Sequence, residues 1–159
     1  MFLPAVIYSQ NRTAQKYRIL AINVEGYDIH SGTDKNAIIT NSGLKIGDEI
    51  SLPGEETRQA IQRLWALRIF SDIQILIENK VKDGVYLLIK VKEYPRLAKY
   101  ELKGRDNVSE SDIKKKISLT DGQILTPDDI NRVKKNIKNL YEEEGYPFTE
   151  IKTETIIQD

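Results

Sequence analysis

Cysteine is absent from the 159 residues and histidine occurs once. Disulfide staples are therefore excluded, and a transition-metal cluster has almost no sulfur or imidazole ligands to draw on. A chain without cysteine suits an oxidising compartment, where a stray thiol is a liability. Net charge is lacking too: 24 Lys and Arg balance 24 Asp and Glu, so nothing pulls the chain as a whole toward phosphate polymers or acidic membranes. No stretch approaches the roughly 18 consecutive apolar residues of a membrane helix. Catalytic patterns are equally scarce. Ser-His-Asp chemistry would have to pair His30 with a distant serine, and no Gly-x-Ser-x-Gly elbow is present. Asp128 and Asp129 suit a helix N-terminus, Glu142 to Glu144 a solvated helix face, and the Lys114-Lys115-Lys116 run another solvated face. The composition describes a non-enzymatic chain without a cofactor or metal.

What the sequence does contain is an internal repeat. Val24, Gly26, Gly47-Asp48-Glu49-Ile50, Leu64-Trp65 and Phe70 recur as Leu102, Gly104, Gly122-Gln123-Ile124-Leu125, Leu140-Tyr141 and Tyr146. The offset from Leu64 to Leu140, and from Phe70 to Tyr146, is 76 residues. That period is too long for a helical solenoid and right for a tandem of small domains. Each unit lies near the lower size limit for one unassisted core, so apolar packing has to hold it together.

In the first unit, Tyr17 to Val24 reads as a strand with Tyr17, Ile19 and Ala21 on one face and Arg18, Leu20, Ile22 and Val24 on the other. Ser31-Gly32-Thr33-Asp34 offers cap side chains to a short helix over about 35–41, and Gly43 ends it. Residues 44–50 read as a connector with its apolar side chains tucked under the helices. A second helix follows Ser51-Leu52-Pro53-Gly54, with Ala60, Ile61, Leu64, Trp65 and Ile69 on one stripe. In that pattern Trp65 is a core anchor, and truncating it to alanine is expected to cost about 3–5 kcal/mol. Ile73, Ile75 and Ile77 alternate with Gln74, Leu76 and Glu78 as a half-wet strand. An Asp83-Gly84 turn then leads into the continuous apolar run Val85 to Val91. The alternating strand belongs at a sheet edge and the apolar one at its centre.

The second unit repeats the order after a linker at Tyr94, Pro95 and Arg96, which reads as a hinge. It has a strand over 98–102, a helix from Ser109 or Glu110 to Ile117, and a Thr126-capped helix to about Glu143 with Ile130, Val133, Ile137, Leu140 and Tyr141 buried. A strand from Phe148 to about Ile157 completes it. No counterpart of Val85 to Val91 follows. The expectation is a fragment whose second unit is incomplete or less stable. At the other end, Met1 to Gln10 is an apolar run ending near a small residue, Ser9, and resembles the last part of an export signal. Residues 1–16 are assigned to a signal-peptide remnant or disordered leader, 17–94 to a first domain and 95–159 to a truncated second one.

The strand-helix-helix-strand-strand order, the Leu64 to Ile73 segment, the Val91-Lys92-Glu93-Tyr94-Pro95 junction and the Leu140 to Tyr146 segment together resemble POTRA (polypeptide-transport-associated) modules of the BamA family of outer-membrane protein assembly factors. Nearly all the chain is covered. One departure is Ile69, where a glycine is often found. The resemblance implies an α+β fold of tandem β-α-α-β-β modules, each a three-stranded mixed sheet covered by two helices, the second lacking its last strand. It also implies a location at the periplasmic face of the bacterial outer membrane, in front of a membrane barrel that lies outside this sequence. Implied partners are unfolded outer-membrane proteins and accessory assembly lipoproteins, and no nucleic acid.

An exposed edge strand offers unpaired N–H and C=O groups to which an extended client can add without sequence-specific side-chain contacts. The candidate edges are Ile73, Gln74, Ile75, Leu76 and Ile77 in the first unit and Phe148, Glu150 and Lys152 in the second. A groove near Arg58, Gln62 and Arg63 is the candidate receptor for client side chains. Two other readings stand beside this one. A cell-division or two-partner-secretion protein could use the same module purely for docking. A KH-like nucleic-acid module would need a Gly-x-x-Gly loop to clamp a backbone, and the chain has none.

Overall fold

The structure, a computed structural model, describes residues 15–156. The leader reading therefore lies, up to residue 14, outside the described residues. The chain divides into two compact units, the first ending at Glu93 and the second beginning at Tyr94.

The first unit carries strands β1 (Lys16–Glu25), β2 (Glu49–Ser51), β3 (Phe70–Val81) and β4 (Gly84–Glu93), with helices α1 (Lys35–Ser42) and α2 (Glu55–Ala66). Its sheet has four strands in the order β2-β1-β4-β3, where three were expected. The additional member is the end of the expected connector: Glu49, Ile50 and Ser51 pair antiparallel with Arg18, Tyr17 and Lys16. Leu44 and Ile50 are buried as predicted, but Ile46 is exposed. β4 lies at the centre, parallel to β1 and antiparallel to β3. Its continuous apolar character does not reflect cover on both faces. Val85, Leu87, Ile89 and Val91 are buried under the helices, whereas Tyr86 on the other face is partly exposed. β4 is central because both of its backbone edges are paired.

The faces of β1 also differ from simple alternation. The register with β4 shifts between Ile19 and Ala21, leaving Leu20 as the extra residue of a β-bulge. Beyond it the faces swap, so Ile19, Ile22 and Val24 all pair with buried β4 residues and are themselves buried. Gly26 ends the strand with a positive φ, where an added Cβ would overlap the Val91 carbonyl.

Helix α1 begins at the Asp34 cap, whose carboxylate accepts from the Asn36 and Ala37 amides, and closes at the left-handed Gly43. α2 sends Thr57, Ala60 and Leu64 into the core. Trp65 does not join them: it is 40% exposed, a correction to its reading as a core anchor. Apolar spacing alone admitted it to the stripe, but at 100° per residue it falls well round the helix from the arc centred on Ala60 and Leu64. α2 ends at Ala66, so Ile69, read from sequence as part of its apolar stripe, lies beyond it, and the end is tight without a glycine at position 69. The Leu67 and Arg68 amides bond back to Leu64 and Trp65, and Arg68 takes the left-handed conformation at φ 58°.

The second unit contains α3 (Glu110–Lys116) and α4 (Pro127–Glu143), packed through Ile113, Ile117, Val133, Ile137, Leu140 and Tyr141. Ile130 is only partly buried. The expected strands over 98–102 and from Phe148 onward are not formed among the described residues. Tyr100, Leu102 and Ile151 rest against the helical core without ladder partners. In the first unit the corresponding strands are both held by β4, and no described segment of the second unit takes that place. Extended backbone without a partner does not become a sheet. The second unit is instead pinned at its start by a short ladder. Leu125 N–H donates to Pro95 O, Leu97 N–H to Gln123 O, and Gly122 N–H to Leu97 O, around an Arg96–Ile124 bridge.

At the start of α4, Thr126 Oγ1 accepts from the Asp129 amide at 3.2 Å while Asp129 Oδ2 accepts from Thr126 N–H at 3.0 Å, a reciprocal cap. The hydrogen bond from the Thr126 hydroxyl, supplemented by the Thr126 amide and Arg132, holds the Asp129 carboxyl below its ordinary value of 3.8.

These features predict three outcomes. Ile89→Ala, at a fully buried central position, is expected to cost about 2–5 kcal/mol in urea unfolding followed by circular dichroism, whereas Trp65→Ala should cost only about 1 kcal/mol. Arg68→Gly should stabilise the first unit by about 1 kcal/mol in the same assay, because glycine adopts the left-handed conformation without the Cβ penalty. Since the folded pKa of Asp129 is depressed, its contribution is present above pH 3.8 and is lost as pH falls through the lower folded value. Thermal melts of Asp129→Asn and the parent between pH 2 and 7 should accordingly differ most above pH 4 and converge at the acid end.

Candidate interaction site

β3 occupies one end of the sheet and pairs with β4 alone, which leaves its other backbone edge without a strand among the described residues. Ile73, Gln74, Ile75, Leu76 and Ile77, the residues read as an edge from sequence, all lie on it. Directly opposed residues share a face, and the ladder register therefore sorts them. Ile73 opposes Val91, Ile75 opposes Ile89 and Ile77 opposes Leu87, all buried under the helices. Gln74 opposes Lys90 and Leu76 opposes Leu88 on the uncovered face. The register slips twice, at Ser71 and at Glu78. The straight part of the edge is thus the segment from Asp72 to Ile77, bounded by bulges that twist the strand on either side. Leu76 is 42% exposed on the open face, an apolar residue midway along this window.

The three groove residues on α2 are not brought together. Arg63 turns toward α1, where Nη1 donates to the Ser42 carbonyl at 3.3 Å and closes the end of that helix. Arg58 is held along its own helix by Glu55, with Nε at 3.0 Å from Oε2. This pairing, followed by a hydrogen bond from Gln59, lowers the Glu55 pKa. Gln62 is exposed on the outer surface of α2. Two apolar residues of α2 lie on its other side. Relative to the inward arc of Thr57, Ala60 and Leu64, the side carrying Arg63 faces α1. Ile61 and Trp65 occupy the opposite flank. α1 packs on β1, and α2 packs against both β2 and β3.

The second candidate edge is not built as one: Phe148 is almost wholly exposed, and Glu150 and Lys152 form an ion pair at 3.5 Å on a segment without a strand. Of the hinge residues, Pro95 and Arg96 are hydrogen-bonded into the second unit, and Tyr94 is the first residue after the division between units. The Lys114-Lys115-Lys116 run is spent on Glu110, Asp112 and Glu143. His30 sits exposed in a short 3-10 turn, its backbone N–H on the Asp28 carboxylate. Among the described residues no three His, Cys, Asp or Glu side chains are grouped to hold a metal ion, and no helix is long and apolar enough to cross a membrane.

Comparison with known proteins agrees with this architecture. Residues 95–159 match the family model POTRA, described as a surface antigen variable number repeat. A curated relative, the outer membrane protein assembly factor BamA of Nitratidesulfovibrio vulgaris (strain Hildenborough), is 28% identical over 148 residues. The match covers 91% of this chain and 18% of the relative's length. Among solved structures, POTRA1-2 of the periplasmic domain of Omp85 from Anabaena superposes with a TM-score of 0.56 at 15% identity, covering 92% of this chain and 91% of that one. The N-terminal domain of Omp85 from Thermosynechococcus elongatus gives 0.58 at 17% identity over 83% of this chain and 54% of that one. The α+β reading and the resemblance to POTRA modules are both borne out: residues 95–159 match the POTRA family, and the chain has the fold of Omp85 POTRA domains and a BamA as its curated relative.

Proposed function

We infer that this chain is a pair of periplasmic POTRA-type modules that act by binding rather than catalysis, as a scaffold for outer-membrane protein assembly. In this reading β3 receives an extended segment of an unfolded barrel protein as an added strand, other surfaces dock assembly partners such as accessory lipoproteins, and the modules stand at the periplasmic face of the outer membrane in front of a barrel. The chain spans 18% of the curated relative's length, and the activity of that whole protein enters only as part of this proposal.

One observation carries the reading. β3 is a long strand paired on one side only, with a straight six-residue window from Asp72 to Ile77 whose outward N–H and C=O groups have no strand partner among the described residues. Backbone pairing of that kind is indifferent to most side chains, which suits a receptor for many sequences. An exposed edge is ordinarily blunted by charge, proline or twist. Here the central stretch Ile73 to Ile77 has none of the first two, and the bulges lie only at its ends.

Amide hydrogen exchange tests this directly. Adding an unfolded outer-membrane protein held soluble in urea-free buffer should protect outward-facing amides between Ile73 and Ile77. Unchanged exchange along β3 in the presence of bound client would refute strand addition. Ile75→Pro, which withdraws one N–H from the strand, should abolish cross-linking to the same client while circular dichroism retains the helical signal.

A further inference from the structure

β3 is not the only unpaired margin of the first sheet. β2 holds the outer side of β1 only through Lys16, Tyr17 and Arg18. Ile19 is the last residue engaged there, its N–H donating to Asp48 O at 2.9 Å and its C=O accepting from Gly47 N–H at 2.8 Å. From Ala21 to Glu25 β1 pairs with β4 alone, and no strand among the described residues lies on its other side. The stretch Ala21 to Val24 contains neither a charge nor a proline, the residues that ordinarily protect a free edge.

Beside this stretch lies a cleft of about 370 Å³ between β1, α1 and the turn that leads to β2, lined by Ile22, Ile39, Leu44, Lys45 and Ile46 among others. Ile46 is 68% exposed on its wall, whereas Leu44, two residues earlier, is buried. Two ammonium groups accompany the apolar wall. Lys45 lines the cleft itself, and Lys35, in the first turn of α1, brings Nζ to 3.5 Å from Asn23 Oδ1. Neither is within ion-pair distance of a carboxylate among the described residues.

We propose that Ala21 to Glu25 is a second acceptor edge, which takes a short extended segment of a partner protein with one large aliphatic side chain flanked by Asp or Glu. The inference goes beyond strand addition at β3 and does not depend on it. An added strand continues the line that β2 begins along β1. Directly opposed residues share a face, so the residue opposite Ile22 points to the helix side, where the cleft lies. Burial of its aliphatic side chain against Ile39, Leu44 and Ile46 supplies affinity, and the two uncompensated lysines favour acidic neighbours over basic ones.

Short labelled peptides with a central isoleucine between glutamates, or between lysines, are titrated against the whole chain by fluorescence anisotropy, and amide exchange is followed by NMR. At low salt the glutamate peptide should bind about tenfold more tightly than the lysine peptide, a difference that shrinks in high salt. It should protect those amides between Ala21 and Glu25 that do not bond to β4. Lys35→Gln combined with Lys45→Gln should remove the preference. Ile46→Asp, at an exposed site, should leave urea unfolding unchanged and weaken the glutamate peptide about tenfold. Protection confined to β3 would overturn the second edge and leave strand addition at β3 standing, and no binding of either peptide would overturn it as well. Protection of Ala21 to Glu25 with equal affinity for both peptides would overturn the selection by charge. Protection there without peptide would overturn the partner segment, in favour of a second copy of the chain if it grows with protein concentration and of residues 1–14 if it does not.

Discussion

Backbone hydrogen bonding across β4 is the constraint on which the first unit depends. Once Gly84 to Glu93 lies between β1 and β3, both flanking strands have a ladder, the helices have a continuous apolar floor in Val85, Leu87, Ile89 and Val91, and the unpaired rim is displaced to the outside of β3. Burial alone would not dictate that order, since β4 is covered on one face only. An unpaired N–H or C=O inside a sheet costs more than an unpaired one at its margin, and the strand with the least polar sequence is the one that can least afford water at its edges. The second unit displays the same rule from the other side. Its helices and their apolar stripe are formed, yet 98–102 and 148–156 remain irregular because no described segment lies between them.

Bulges give this sheet its asymmetry. Leu20 in β1 lets Ile19 and Ile22 share the core face although three residues separate them. Glu78 in β3 does the corresponding thing for Ile77 and Lys80, and with the slip at Ser71 it limits the straight edge to a short window. A long open strand would invite indiscriminate pairing between copies. The bulges at Ser71 and Glu78 leave only a short straight window between them.

Much of this was legible in the chain itself. The 76-residue repeat, the cap run ending at Asp34, the Thr126 cap, the alternation from Ile73 to Glu78 and the apolar run of β4 each express a local rule of propensity or periodicity, and the structure contains the corresponding elements. The exceptions share one cause. Glu49 to Ser51 became a strand only because Lys16 to Arg18 was there to pair with it. Trp65 matched an apolar spacing that served the core at Leu64 but, one residue further round, faces outward. Arg63 looked like a free charge on a helix face until the end of α1 arrived beside it.

The sequence by itself determined where the four α-helices lie and that two similar units follow one another, because capping, spacing and glycine placement act over a few residues. Only the tertiary structure decided which strand is left open, that Glu49 to Ser51 pairs as a strand, and that Trp65 faces outward. Those outcomes depend on which backbone edges find partners and where one extra residue shifts a register, both set by contacts between segments far apart in the chain.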